Sequence, residues 1–418
     1  MAGKSLRTTC CVVGGGPAGL MLGFLLARAG ISVVVLEKHR DFLRDFRGDT
    51  IHPSTLELMA ELGLDDQVLR LPHQKVPRVS GQFGTEPLTF ADFSRLPVRH
   101  PYIAMMPQWD FLNFMAEQAQ RFQGFTLVME AEATDLLIED GAVVGVSGHT
   151  PEGAIAVRAD LVVATDGRHS VLRNKAGLAL DDFGAPMDVL WFRLSRLAGD
   201  TDESMGVFAA GRMIVHINRG DYWQCAVVIP KGAAENVRAR GLERFRESVG
   251  ELLPWAANRI ANDLKTWDDV KLLTVRVDRL RQWYRPGLLF IGDAAHAMSP
   301  IGGVGINLAI QDAVAAANIL WRPLRDRQLE TRHLKAVQRR REWPTRATQR
   351  LQVVIQNRVI WPALTSSTVP KPPLALRLAG RFPILRRLTA RLIGIGLRPE
   401  HIQSPELPPV ESGLAQAS

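Results

Sequence analysis

The stretch Gly14-Gly-Gly-Pro-Ala-Gly19 constrains this chain more than any other. It follows the apolar run Thr9-Cys-Cys-Val-Val13, which reads as a buried parallel strand, and precedes an apolar helix from Leu20 to Arg28. A second strand, Ile31 to Leu36, ends in Glu37. In this setting Gly14 makes the turn, Gly16 lets the backbone approach a pyrophosphate, and Gly19 permits close packing of helix on strand. Glu37 stands where an acid binds the adenosine ribose. Glycines alone specify only a turn. Strand, glycines, helix, second strand and acid together predict a Rossmann-like βαβ unit that binds a dinucleotide.

Two further stretches make sense in its company. Leu288 to Ile291 predicts a buried strand that turns at Gly292-Asp293 and continues as a loop to Pro300. Gly302, Gly303 and Gly305 then allow close backbone approach before a helix begins at Asn307. Asp293 can accept hydrogen bonds from a polyol, and the amides of Gly305, Ile306 and Asn307 face any negative charge at the helix start. The other stretch is the strand Asp160-Leu-Val-Val-Ala164, which leads into Asp166-Gly167 with Ser170 and Arg173 following.

Length and charge narrow the class. The 418 residues suffice for two domains and a large core, and 46% hydrophobic with 22% charged residues is ordinary for a soluble globular protein. The net charge is +8, but residues 322–418 hold 18 basic and 6 acidic residues, a net +12, which leaves −4 for the rest. The basic character therefore belongs to one appendage, which argues against a nucleic-acid enzyme. No apolar run approaches the roughly 20 residues of a membrane-spanning helix, and the first residues lack a signal peptide's apolar core. Cys10, Cys11 and Cys225 lie in apolar runs and do not suggest pairing, so a cytoplasmic location is expected.

Along the rest of the chain, Ser54 and Glu57 suggest a capping box for a helix ending at Gly63. Pro107 marks another helix start. Val207 to Asn218 and Tyr222 to Pro230 read as an antiparallel pair joined at Arg219-Gly-Asp221. Separate basic helices are expected over Leu334 to Arg341 and Thr345 to Trp361, with a linker from Ser366 to Pro373 and a helical tail beyond.

Together the three motifs resemble the FAD-dependent aromatic hydroxylases, the single-component flavoprotein monooxygenases related to para-hydroxybenzoate hydroxylase. They are Gly14-x-Gly16-x-x-Gly19 with Glu37; Asp166-Gly167-x-x-Ser170-x-x-Arg173; and Gly292-Asp293-Ala-Ala-His296 through Pro300, Gly303, Gly305, Asn307 and Asp312. The likeness spans roughly residues 8 to 360. It implies an α/β fold: a Rossmann-like FAD-binding domain with an inserted antiparallel β-sheet substrate domain and a C-terminal helical region. The FAD domain is expected over 1–75, 103–176 and 272–365, the substrate domain over 76–102 and 177–271, and the basic tail over 366–418.

The resemblance also assigns residues. The glycines, Pro17, Ala18, Glu37 and Lys38 hold the ADP half of non-covalent FAD, and Arg47 and Gln108 reach its ribityl-phosphate region. Asp166 supports the pyrophosphate and Asp293 binds the ribityl chain, with Gly292 at its turn. Pro300 and the backbone from Gly303 through Gly305, Ile306 and Asn307 face the isoalloxazine ring. NADPH or NADH is the transient donor, consistent with the lack of a second Gly-x-Gly-x-x-Gly. Dioxygen then reacts through a flavin hydroperoxide to hydroxylate or epoxidise the substrate. A reductase acting on a prenyl or quinone-type substrate, and a lipid-binding relative without flavin, are the competing readings. A halogenase is disfavoured, since Tyr222-Trp-Gln-Cys-Ala-Val-Val-Ile-Pro230 is the nearest string to its Trp-x-Trp-x-Ile-Pro motif.

Three expectations concern chemistry the motifs leave open. His52, in the loop approaching the flavin, is the candidate proton-handling residue, against a purely structural role. Met213, Val215 and Trp223 are placed in a substrate pocket that takes an apolar aromatic, polycyclic or quinone-like molecule. The tail helix, with Leu385, Leu388, Leu392 and Ile395 at helical spacing, is expected to dock on the FAD domain with its arginines in water. Weak contact with a membrane surface is the alternative.

Overall fold

The computed structural model describes residues 4–43 and 50–408. Strand β1 (Lys4–Val13) is central because residues Cys10 to Val13 are buried on both of its faces. Helix α1 (Pro17–Arg28) follows it, and β2 (Val33–Leu36) pairs with β1 in parallel. On the other side of β1 lies Gly153–Ala164, also parallel, with Phe125–Val128 beyond β2 and Leu288–Phe290 beyond Gly153–Ala164. Helix α1, helix Gln108–Gln120 and the long helix Gly305–Arg325 pack into the core on one face. The antiparallel strands Glu132–Glu139 and Ala142–Thr150 and the helix Val171–Ala176 cover the other.

Register decides where the site forms. Val13 pairs with Ala164, and Ala164 with Phe290, so three strands end side by side and their loops emerge together at the carboxyl edge. This is where open parallel sheets bind ligands.

A second sheet of the described residues runs in the order Lys271–Leu273, Met187–Ser195, Tyr222–Pro230, Arg212–Asn218, Met205–Ala209, Arg78–Phe83, Glu86–Asp92. It is antiparallel except where Met205–Ala209 meets Arg78–Phe83. The expected single strand from Val207 to Asn218 is two strands, because the chain reverses at Ala210-Gly211, with Gly211 at φ +68°. Its pairing with Tyr222–Pro230 is as expected.

Several helices differ from expectation. Pro53 opens helix Pro53–Glu61 with His52 as its N-cap residue and no side-chain cap. Proline at the first position presets φ and needs no N–H partner, so the helix starts two residues earlier than the Ser54 cap implies. The Ser54/Glu57 capping box is therefore not formed, and Glu57 Oε1 instead accepts from the Arg99 amide at 2.7 Å. Gly63 sits at φ +68° after the helix, as expected.

The long helix starts at Gly305 rather than Asn307. Contrary to the apolar-run reading, the segment Ile301–Arg325 is long and apolar enough to cross a membrane, but its apolar window is 67% buried in the core. The two expected basic helices are one, Thr331–Ile355, with Pro344 inside it. It continues through a wide turn (Gln356–Ile360) to Trp361–Thr365. Burial of Arg341, Pro344, Thr345, Gln349 and Gln352 along its length holds the helix together across the proline. The tail helices Leu374–Arg381 and Pro383–Gly394 pack mainly on Glu86–Asp92 of the second sheet, not on the first-sheet body as expected. The chain beyond them returns to the first sheet's helices, where Arg28 and Arg325 donate to the Ser404 and Pro408 carbonyls.

Candidate active site

The first loop is built for an anion. Gly14 has φ +109°, and a Cβ there would lie 2.5 Å from the Thr165 carbonyl oxygen. A Cβ on Gly19 would lie 1.9 Å from the Gly14 carbonyl oxygen, so helix and loop touch directly. Thr165, unremarked in the sequence, ties this loop to its neighbour by donating to the Val13 and Gly14 carbonyls at 2.9 and 2.7 Å. Gly16 is the N-cap residue of α1, and a Cβ there would meet no atom within 4 Å. Open space therefore lies where the helix dipole and free amides favour a phosphate. Pro17 opens the helix and Ala18 is buried beneath it. Glu37 is buried and accepts from the Gly15 and His39 amides at 2.9 and 3.1 Å, which aims its carboxylate at the loop. Lys38 beside it is exposed.

The second and third loops brace each other. Arg173, held in the helix capped by Ser170, donates to the Arg168 carbonyl at 2.8 Å and the Ala294 carbonyl at 3.3 Å. It thus pins the Asp166-Gly167 turn to the Gly292-Asp293 turn. Arg168 bonds Asp293 across the gap at 3.2 Å. Asp166 Oδ2 accepts from the Leu172 amide at 3.3 Å, whereas the buried Oδ1 has no hydrogen-bond partner among the described residues. Burial raises its pKa above the usual carboxylate range. Arg173 was legible as a motif member, whereas Arg168 falls on an open position of the motif, since a side chain's bonding across to another loop leaves no sequence spacing.

The loop from Pro300 to Asn307 is fixed from both sides. Pro300 is half-buried and precedes a single turn, Ile301–Gly303. Thr50 Oγ1 donates to the Gly303 carbonyl at 2.7 Å. The Asn307 side chain is fully engaged: Oδ1 accepts from the His52 amide and the Thr55 hydroxyl, and Nδ2 donates to the Thr50 carbonyl. At Gly305, Ile306 and Asn307 the backbone at the helix start is therefore what can meet a ligand. Behind the loop, glutamines of helix Thr331–Ile355 and the turn after it form a ladder. Gln349 donates to the Asp278 and Ala297 carbonyls, Gln352 to those of Ser299 and Ile301, and Gln356 to the Ser299 hydroxyl, all at 2.8–3.0 Å.

Asp312 anchors the third turn from below. It accepts from the Gly292 amide at 3.1 Å, His296 Nε2 at 2.5 Å and Arg341 Nε at 2.9 Å. Burial alone would raise its pKa, but His296 and Arg341 overcome that and hold it below the usual range. Arg341 also meets Glu400 of the tail at 3.1 Å.

Two expected residues sit elsewhere. His52 is completely buried, and its Nδ1–H donates to the Ile393 carbonyl of the tail at 2.8 Å. Burial lowers its pKa to about 4, so the ring is neutral and ties tail to loop, which departs from the expected proton-handling role. Trp223 is corrected by register. It pairs with Asn218, which puts it on the sheet face opposite Met213 and Val215, packed against Trp255 and His216. Side chains alternate within each strand, but which alternate sets share a face depends on pairing that spacing does not reveal. Met213 is buried with Phe83, Phe208 and Val228, and half-buried Val215 and Ile301 of the ring-side loop pack on the same cluster. Arg212, on the other face, pairs with Glu251. Gln108 begins its helix and is half-buried; Arg47 lies outside the described residues.

FAD fits this arrangement. Space over Gly16 suits the pyrophosphate, the amide-aimed Glu37 suits the ribose, and Asp293 with the orphaned Asp166 Oδ1 offers polar partners between them and the Pro300–Asn307 loop. A family model described as "FAD binding domain" matches residues 7–351. A 6-methylpretetramide 4-monooxygenase from Streptomyces rimosus is 34% identical over 389 residues, 92% of each chain. A para-nitrophenol 4-monooxygenase from a Pseudomonas species is 27% identical over 322 residues, covering 74% of this chain and 76% of its own. The crystal structure of a p-nitrophenol 4-monooxygenase from Pseudomonas putida matches with a TM-score of 0.75 at 21% identity, covering 93% of this chain and 97% of that one. The chain belongs to the FAD-dependent aromatic hydroxylases and is an FAD-dependent monooxygenase that uses NAD(P)H and dioxygen.

Proposed function

We propose that the substrate is an apolar polycyclic aromatic phenol or quinone-like molecule, hydroxylated or epoxidised between the ring-side loop and the second sheet. The observation that carries this is the sheet face opposite Ile301. Met213, Val215, Ala226 and Val228 share it by register, and Val215 and Ile301 are only partly buried. Two cations near its far end are engaged, Arg193 stacking on Tyr222 at 4.8 Å and Arg219 donating to Gln224 at 3.0 Å, while Lys271 stands exposed on the edge strand, three strands away from Val215. A small carboxylate would find little to hold it there, whereas a fused ring system buries its surface against aliphatic side chains. Similarity to the 6-methylpretetramide enzyme supports the same class.

The same reading assigns the roles. Gly14, Gly16, Gly19, Pro17, Ala18, Glu37 and Lys38 hold the adenosine end; Asp166 and Asp293 hold the middle; Pro300 and the backbone of Gly303 to Asn307 border the ring. Gln108 and, by the family resemblance alone, Arg47 are assigned to the ribityl side. FAD, when bound, accepts reducing equivalents from the nicotinamide and activates dioxygen. Protein groups supply position and exclude water. The amides at Gly305 to Asn307 favour negative charge at the end of the ring they face. The division into FAD and substrate domains at 76–102 and 177–271, and a cytoplasmic setting for three buried free cysteines, belong to this reading.

The test is NAD(P)H oxidation and product mass against a panel of phenols. Hydrophobic polycyclic phenols should give oxygenated products with tight coupling. Coupled turnover of hydroxybenzoates in preference to them would overturn the substrate class.

A further inference from the structure

The tail carries a surface that neither the fold nor the flavin chemistry uses. Leu374, Leu378, Phe382, Ile384 and Leu388 are 68%, 38%, 46%, 75% and 62% exposed. Leu374 and Leu378 are four residues apart on the helix Leu374–Arg381, as are Ile384 and Leu388 on Pro383–Gly394, so each pair shares one helix face. Soluble surfaces rarely gather such side chains without a partner. Arg377, Arg381, Arg387 and Arg391 are exposed beside them. Residues 359–399 contain seven Lys and Arg and no Asp or Glu.

The opposite faces of both helices are anchored. Ala379 and Ala390 are buried. Gly380 packs against Leu88, and a Cβ on Gly394 would lie 3.0 Å from Phe93 and 3.2 Å from Pro53. The Ile393 carbonyl bonds His52. The helices are thus fixed to the body and present their apolar residues outward without rearrangement.

We propose that this face docks on the surface of an anionic lipid bilayer, inserting Leu374, Leu378, Phe382, Ile384 and Leu388 among the acyl chains while the arginines meet the headgroups. Among the described residues no carboxylate pairs with these arginines, although Arg387 donates to the Arg95 carbonyl, and apolar residues flanked by such cations are the chemistry of an interfacial helix. A second copy of the chain fits poorly, since it would set these arginines against one another. The proposal does not depend on the substrate class, although a molecule that partitions into bilayers would be met there.

Flotation of the full-length holoenzyme tests it, using vesicles of phosphatidylcholine alone or mixed with phosphatidylglycerol. Binding is expected to the mixed vesicles at low salt, to weaken at high salt, and to be poor on phosphatidylcholine alone. Ile384→Glu with Leu388→Glu should abolish flotation with flavin content unchanged, and Arg381→Ala should weaken binding roughly five-fold. Absence of flotation at low salt, equal binding to both vesicle types, or unimpaired binding by the double variant would overturn it. So would a dimer in light scattering that Leu388→Glu dissociates, because a second copy would then be covering the face.

Discussion

Two glycines three residues apart in the first loop, Gly16 and Gly19, predict opposite phenotypes. Alanine at Gly19 must displace the Gly14 carbonyl from 1.9 Å, so Gly19→Ala should lower the melting temperature and yield little folded protein. Alanine at Gly16 meets open space in the protein, so Gly16→Ala should leave the melting temperature of flavin-free protein unchanged and weaken FAD binding. Thermal melts of the stripped protein and a flavin fluorescence titration separate the two. Asp293→Ala should weaken FAD by roughly 1.5–3 kcal/mol, the scale of one charge-assisted hydrogen bond, measured in the same titration. These positions were legible because each motif residue performs its task through its own backbone or a short side chain. His52 was not: its environment is set by Ile393, 341 residues away.

Among elements, the helix Thr331–Ile355 supports the flavin-side loop most directly. Gln352 makes one bond as acceptor, from the Ser299 amide, and two as donor, to the Ser299 and Ile301 carbonyls. Gln352→Leu would strand these backbone groups, at about 1–3 kcal/mol for each left unpaired. It should lower the melting temperature and also weaken FAD, whereas a substitution at exposed Arg350 should do neither; calorimetry with flavin titration checks both. Arg341→Met takes one cation from buried Asp312, which keeps His296, and one from buried Glu400, which keeps Arg340, so the loss in a denaturant titration should be about 3 kcal/mol. Periodicity predicted a break at Pro344 because proline removes a helix hydrogen bond, yet buried contacts on either side outweigh it. The strand pair before it failed differently: apolar alternation marked both strands, but only register shows that Trp223 and Val215 face opposite ways.

For the whole molecule, the three converging loops could be read from order and spacing, while the seating of the tail on the second sheet could not. Nothing local in Pro383–Gly394 encodes Phe93 or His52 as its neighbours. Acid sensitivity is a global consequence. His52 and His216 are held at about 4, mainly by burial, against 6.5 when unfolded. The unfolded chain therefore binds more protons between those values. The stability from keeping these rings neutral is intact above pH 6.5 and is lost as pH falls toward 4, by up to about 3 kcal/mol for each ring. Melting temperature against pH should fall over that window, and His216→Phe should make the fall shallower. The most direct measurement supplies the purified yellow protein with NADPH, isotopically heavy dioxygen and a hydrophobic polycyclic phenol, and weighs the product. One heavy oxygen atom per product molecule, absent without the nicotinamide, is expected. Consumption of nicotinamide with a product that is reduced, or whose new oxygen comes from water, would contradict a monooxygenase.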